Sequence, residues 1–191
     1  MSAALASRLA LVLLLVVAAP ASGASLALAP GERARALQVG ARSVTQEAFD
    51  REWRVANSSG DSLIVLTPFH RLVLAARNAA FKNETLKPGE ADRILKAHGE
   101  RVVIWASLHG TRADFARYYT PRLIAGDREI EPSFVQNERT AQREDGGRYR
   151  ARCVYGFPIR DLTGTQRLHL VVRDADGHDV SRFTIDLSTM R

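Results

Sequence analysis

The chain has 191 residues, of which 46% are hydrophobic and 25% charged, and its formal net charge is +6 at pH 7. This balance is typical of a folded globular protein and excludes an intrinsically disordered chain, while the length suits one domain. A single cysteine excludes an internal disulfide, so the hydrophobic core alone must stabilise the fold.

The N-terminal residues have the three parts of a secretory signal peptide. Arg8 supplies a positive charge, residues 9–19 are apolar, and small residues follow them. The eleven apolar residues rise only about 16 Å as a helix, against about 30 Å for the hydrocarbon core of a bilayer. The small residues fit cleavage after Ala21 or after Ala24. We therefore expect a cleavable signal peptide over residues 1–24, no lipid anchor, because no cysteine follows the apolar residues, and no stable membrane insertion after cleavage.

The helices are predicted in the N-terminal half of the chain. Residues 25–43 show no hydrophobic period, so a loose N-terminal segment is expected there. Apolar residues at helical spacing predict helices over about 44–56, 68–82 and 88–98. Ser43, with Gln46 three residues later, indicates a capping box at the start of the first helix. Thr67 suits the N-cap of the second helix, and Pro68 suits its first turn.

Strands dominate the rest of the sequence. The apolar run 62–66 predicts a buried strand, and after Gly99 the pattern changes to short strands with turn residues between them. These strands are predicted over residues 101–108, 115–125, 128–136, 148–157, 166–173 and 180–187. Pro132 favours a sheet edge, and Asp176-Gly177 predicts a hairpin turn. The fold class expected is mainly β (α+β): an immunoglobulin-like antiparallel β-sandwich of about six to seven strands, forming a single domain over residues 44–191.

The sequence predicts neither a metal site nor a cofactor site. Residues 174–179 contain three carboxylates and a glycine, but their order differs from an EF-hand calcium loop, and a hairpin turn accounts for them. The five histidines include no pair at the helical spacing of a zinc protease, and His169 and His178 are expected to be solvated. Cys153 falls on the apolar face of an alternating strand, which predicts a buried, unreactive thiol.

Three alternating arginines are the candidate binding residues. Arg148, Arg150 and Arg152 share one face of the strand that carries Cys153, with their roots about 6.7 Å apart. Guanidinium groups at this spacing suit an anionic polymer. The alternative is a solvated face that is neutralised by nearby carboxylates, which are those of Glu138, Glu144 and Asp145.

These features predict an exported, non-catalytic envelope or periplasmic protein that acts as a binding or accessory module. Only three of the 27 basic residues are lysines, a bias that a GC-rich bacterial genome would produce, which favours the periplasm over the extracellular space. An envelope protein or an anionic polymer is the expected partner, and nucleic acid is not. The alternative function is a small secreted hydrolase whose site is assembled from distant residues, since no nucleophile elbow is present. An exposed, unpaired strand edge would instead favour a structural accessory subunit.

Overall fold

The computed structural model describes residues 23–87, 89–98 and 100–191. Nearly all of the expected signal peptide lies outside the described residues. The described helices are α1 Pro30–Arg42, α2 Pro68–Phe81 and α3 Glu90–His98. The strands are β1 Arg54–Ala56, β2 Ser62–Leu66, β3 Arg101–Gly110, β4 Thr120–Ala125, β5 Arg128–Ile130, β6 Phe134–Asn137, β7 Gln142–Arg143, β8 Tyr149–Pro158, β9 Arg167–Arg173 and β10 Asp179–Asp186. Within the described ranges, no helix is both long and apolar enough to cross a bilayer.

The strands form two antiparallel sheets and no closed barrel. Sheet A has the order β1-β2-β3-β8-β6, with β7 also pairing with β8, and sheet B has the order β10-β9-β4-β5. The inward side chains of both sheets belong to one hydrophobic cluster, in which Ile104 and Tyr155 of sheet A join Leu170 and Phe183 of sheet B. The prediction of a mainly β, antiparallel fold with helices in the N-terminal half is therefore confirmed.

The first helix is not where the sequence analysis placed it. Residues 25–43 were expected to be loose, but they contain α1, and residues 44–56 form turns, a 3-10 turn and β1 instead of a helix. The start of α1 carries ordinary helix signals, because Pro30 occupies the first turn and the Ala29 N–H donates to the Glu32 carboxylate at 2.8 Å. Ser43 lies at the end of α1, where its hydroxyl donates to the Gly40 carbonyl oxygen at 2.8 Å.

The buried face of α1 consists of small residues. Only Ala36 and Gly40 of this helix are buried, so no run of large apolar residues marks its period. Gly40 lies so close to α2 that an added Cβ would be 2.3 Å from the Val73 carbonyl oxygen. The helix therefore packs backbone against backbone, which a search for bulky hydrophobic residues does not detect.

Two of the predicted strands are divided differently in the structure. The strand expected over 115–125 begins only at Thr120, and the residues before it form turns around the buried Ala116. The strand expected over 128–136 is two strands, β5 and β6, which belong to different sheets. Pro132 lies in the segment that crosses between them, and β5 and β6 are both edge strands, as the proline indicated.

The imidazole of His70 is buried against the indole of Trp53. The two rings are within 5° of parallel, and their centroids are 4.0 Å apart. His70 Nδ1 lies 3.0 Å from the Val65 carbonyl oxygen, so this nitrogen carries the proton and donates it. Nε2 is buried without a hydrogen-bond partner. Burial lowers the pKa of His70 to about 4, and the folded protein therefore holds this ring neutral.

We expect acid to destabilise the fold through His70. Above pH 6.5, the usual pKa of histidine, the ring is neutral in both states. As the pH falls from 6.5 towards 4, the unfolded chain binds a proton that the folded protein excludes, so the free energy of unfolding decreases. A pKa difference of this size corresponds to about 3 kcal/mol. Urea unfolding at pH 7 and pH 4.5 measures the decrease.

The variant His70→Asn isolates this effect, because its amide can still donate to Val65 but does not titrate. Between pH 7 and pH 4.5, the free energy of unfolding of His70→Asn should decrease by about 2 to 3 kcal/mol less than that of the wild type. His178→Asn removes an exposed histidine and should leave the loss unchanged. An equal loss in wild type and His70→Asn would show that another group causes the acid sensitivity.

Candidate binding surface on sheet A

The three candidate arginines lie at one end of β8. Arg150 and Arg152 belong to the strand, and they point away from the core because Ala151 and Cys153 between and beyond them are buried. Arg148 precedes the strand and is exposed. The common face that the sequence predicted therefore exists for two arginines on the outer side of sheet A, with the third beside its end.

The two strand arginines differ in charge balance. Arg150 Nε is 2.8 Å from the Glu144 carboxylate, and its Nη2 donates to Gln142 Oε1 at 3.3 Å. Glu138 instead accepts the backbone N–H of Arg152 at 2.7 Å, and the Arg152 guanidinium forms no ion pair within residues 23–87, 89–98 and 100–191. Neutralisation by nearby carboxylates thus applies to Arg150 and leaves the Arg152 charge available.

An exposed tryptophan lies beside these arginines. Trp105 of β3 is 48% exposed, although it occupies the middle of a central strand. The register places it between Ile64 of β2 and Val154 of β8. Arg152 is two residues from Val154 on the same face, so it is a diagonal neighbour of the indole. We call these four residues, Ile64, Trp105, Arg152 and Val154, the Trp105 surface.

Trp105 was not among the residues that the sequence predicted for binding. Residues 101–108 have apolar residues on both faces, a pattern that favours a central strand of the sheet. The outer face of β3 becomes polar beyond the tryptophan, however, at Ser107 and His109. This change from apolar to polar along one face was the available signal that the outer side of sheet A is open at the Trp105 end of β3, whereas Val103 and Leu66 on the same face are buried.

The Trp105 surface forms the floor of a shallow groove of about 420 Å³. Arg54 of β1 lies on the far side of Ile64 from the tryptophan. Its guanidinium is held by the buried Asp50 carboxylate through two hydrogen bonds of 2.7 and 2.8 Å. The groove therefore combines an apolar centre with two guanidinium groups that pair with carboxylates, those of Arg54 and Arg150, and one available guanidinium, that of Arg152. This arrangement suits a ligand that stacks on the indole and carries negative charge.

A buried carboxylate, Asp61, joins the two sheets below one end of this surface. Its Oδ1 accepts hydrogen bonds from the backbone N–H of His109 at 2.9 Å and from His109 Nδ1 at 3.0 Å. Its Oδ2 accepts from the Ser181 hydroxyl of β10 at 2.7 Å, and the Asn57 amide donates to the same hydroxyl at 3.0 Å. These bonds connect β3 of sheet A with β10 of sheet B.

The same cluster contains the residue types of a hydrolytic triad in the wrong order. In a triad the serine bonds to histidine and the histidine to aspartate. Here the Ser181 hydroxyl donates to Asp61, and His109 Nε2 faces the Glu144 carboxylate at 3.4 Å. No histidine is placed to take the serine proton in this cluster, so the arrangement supports a structural role and does not favour the hydrolase alternative.

Cys153 is buried, as its position in the strand predicted, with only 1% of its surface exposed. Burial raises the pKa of the thiol, which disfavours the reactive thiolate.

The Asp176-Gly177 turn joins β9 and β10 as an antiparallel hairpin. Asp174 Oδ1 accepts the backbone N–H groups of Asp176 and His178 at 3.0 and 2.9 Å, so this carboxylate is engaged in forming the turn.

No protein-family model matches the chain, and no curated protein matches it either. A solved structure from Burkholderia pseudomallei K96243, described as a novel protein of unknown function, is similar with a TM-score of 0.43 and 11% sequence identity. The similarity covers 85% of this chain and 91% of that one.

We expect Asp61→Asn to destabilise the fold, because an amide would place an N–H group against donors that now meet a carboxylate oxygen. Leaving such a buried group unsatisfied costs about 2 to 3 kcal/mol. Chemical denaturation measures the change, and Asp127→Asn, at an exposed turn, is the matched control with an expected change below about 0.5 kcal/mol. Equal stability of the two variants would contradict the bridging role of Asp61.

Proposed function

We propose that this protein is an exported, non-catalytic binding module of the cell envelope that holds an anionic polymer on the Trp105 surface. The observation that carries the proposal is the half-exposed Trp105 next to the unneutralised guanidinium of Arg152. Exposed large apolar side chains on an open sheet face are typical of interaction sites. The mature protein would act in the periplasm or outside the cell.

On this surface, Trp105 stacks against the polymer, and arginines pair with its negative charges. The flat indole offers its face to the apolar side of a sugar ring, and Arg152 pairs with a carboxylate, sulfate or phosphate group on the same polymer. Arg148 lies just before the start of β8 and adds a second positive charge at the end of the same strand. Arg150, between Arg148 and Arg152, is instead paired with Glu144. The proposal thus assigns Arg148 and Arg152 to charge pairing and Arg150 to maintaining the shape of the groove.

For the finer class of fold, we propose immunoglobulin-like connectivity. If β2 and β3 are strands A and B, then β4, β5 and β6 are C, C′ and D, and β8, β9 and β10 are E, F and G. Sheet A then contains the order A-B-E-D, and sheet B the order G-F-C-C′, as in immunoglobulin-like domains. On this assignment, α2 and α3 form an insertion between strands A and B.

We expect Arg148→Gln/Arg152→Gln to weaken the binding of dextran sulfate, the anionic probe, by roughly tenfold, because each exposed charge pair contributes up to about 1 kcal/mol. Trp105→Ala should weaken it further. Isothermal titration calorimetry measures the affinity of every variant, including Trp105→Ala. In the variants that keep Trp105, the emission of this half-exposed indole reports binding independently over the constant background of the buried Trp53. Affinity should fall steeply with salt as the Debye length decreases from about 10 Å at 0.1 M to about 3 Å at 1 M.

The matched control is Arg35→Gln/Arg42→Gln, which removes the same charge from exposed positions of α1. This control should retain most of the affinity, and neutral dextran should not bind. None of these arginines forms an ion pair in the described part of the chain, so the melting temperatures should agree. If both double variants bind equally well, attraction is due to net charge alone, and the Trp105 surface is not the binding site.

Export is part of the proposal, and the contacts of Ala24 support one of the two cleavage positions. The Ala24 N–H donates to the carbonyl oxygens of Gly164 and Leu187, both at 2.8 Å, and only 5% of the residue is exposed. Cleavage after Ala24 would remove these bonds, whereas cleavage after Ala21 leaves them in the mature protein. We therefore propose cleavage after Ala21.

We expect the mature protein, isolated from the periplasm of an expressing host, to begin at Ser22. N-terminal sequencing and intact mass measurement establish this directly. Ala21→Leu should block processing at this position, because signal peptidase requires a small residue there, whereas Ala24→Val, a matched change beyond the cleavage position, should still yield Ser22. A mature chain that begins at Ser25, or one that keeps Met1, would contradict the proposed position.

A further inference from the structure

Strand β6 is an open edge of sheet A. It pairs with β8 on one side, and no strand of the described chain pairs with its other side. The Glu138 N–H donates to the Arg152 carbonyl oxygen at 3.2 Å, which makes Asn137 opposite Cys153 a non-hydrogen-bonded position of the ladder. Because these positions alternate, Val135 is another. The backbone N–H and C=O groups of Val135 and Asn137 therefore point away from β8.

This edge opens into a groove of about 450 Å³, which we call the β6 groove; it is lined by Arg117, Tyr118, Val135, Gln136, Asn137 and Arg139. Val135 is 41% exposed and Tyr118 is 63% exposed, so the groove has two large, partly exposed apolar side chains. The Asn137 amide donates to the Tyr119 carbonyl oxygen at 2.7 Å. This bond connects the turn that carries Tyr118 to β6.

The net charge at the β6 groove is positive. Arg117 stacks over the Tyr118 ring at 5.2 Å, and neither Arg117 nor Arg139 forms an ion pair within the described ranges. The nearby carboxylate of Glu138, which accepts the Arg152 backbone N–H, keeps its negative charge, so the two arginines leave the groove with a net positive charge. A second copy of the same edge would bring these arginines together, so like-charge repulsion disfavours self-association and favours an acidic occupant.

We propose that the β6 edge of sheet A receives an extended, acidic segment of a protein partner, which adds to the sheet as a further strand. Main-chain hydrogen bonds to Val135 and Asn137 supply affinity. Alternate side chains of the segment supply specificity, since apolar ones meet Val135 and Tyr118 and acidic ones meet Arg117 and Arg139. The β6 groove adjoins the Trp105 surface, since Gln136 pairs with Val154, but the two share no lining residue. Polymer binding and strand addition can therefore succeed or fail independently.

The probe is a fluorescein-labelled peptide of alternating glutamate and valine, followed by fluorescence anisotropy with the full mature chain. Val135→Pro removes the outward N–H without disturbing the bonds to β8, because proline is tolerated where an edge residue faces solvent. We expect Val135→Pro to weaken peptide binding by about tenfold or more relative to Val135→Ala, which keeps the N–H but loses the same apolar contact. Equal affinity of these two variants would overturn strand addition.

A second measurement does not depend on the folding of any variant. A peptide with N-methylated alternate residues cannot donate along one edge, and it should bind at least about tenfold more weakly than the unmodified peptide. In the wild-type complex, the amides of Val135 and Asn137 should become protected from hydrogen exchange. Unchanged exchange at both amides would refute the proposal even if the peptide binds elsewhere.

The same labelled peptide tests the role of the groove arginines and the identity of the occupant. Arg117→Gln/Arg139→Gln should weaken peptide binding by roughly tenfold, and a lysine–valine peptide should not bind. Binding of dextran sulfate should be unaffected by Val135→Pro, which separates this site from the Trp105 surface. If the unbound protein instead forms dimers that Val135→Pro dissolves, the edge serves self-association and the proposed acidic partner is wrong.

Discussion

The carboxylate of Asp61 is the interaction on which the arrangement of the two sheets depends. It is almost fully buried and accepts hydrogen bonds from His109 of sheet A and Ser181 of sheet B. A buried carboxylate is costly unless several donors surround it, and once they do, removing any of them is costly too. The cluster therefore fixes where β3 lies relative to β10. Trp105 lies four residues before His109 on β3, so the geometry of the Trp105 surface depends on a polar group in the interior.

Patterns that involve large apolar residues or turn chemistry were readable in the sequence. The two antiparallel sheets, the start of α2 at Pro68 after its Thr67 cap, and the Asp176-Gly177 hairpin all follow from such patterns. The helix α1 was missed because its contact with α2 uses Ala36 and Gly40, which have almost no side chain to mark a period. The residues 44–56 were read as a helix because Trp53 has helical spacing from its neighbours, but stacking on His70 holds it elsewhere.

The candidate site was only partly predictable for a related reason. Alternation along one strand places Arg150 and Arg152 on the outer face, but it cannot show which carboxylate reaches which guanidinium. That distinction depends on Glu144, which lies in the connection before β8 and pairs with Arg150. The exposure of Trp105 depends on what covers the outer face of sheet A, which is a property of the whole sheet and not of β3 alone. Register with β2 and β8 was needed to combine the tryptophan with the arginine.

The docking of Ala24 against Gly164 and Leu187 has a consequence for how the protein is made. Ala24 is synthesised long before Gly164 and Leu187, which accept its hydrogen bonds. Trp53 likewise donates to the carbonyl oxygen of Arg191 at 2.9 Å. Contacts of such large sequence separation slow folding and prevent its completion while the chain is still growing. The hydrogen bonds of Ala24 and Trp53 therefore cannot form until synthesis of the chain has passed Leu187 and Arg191, and the described fold is completed only then.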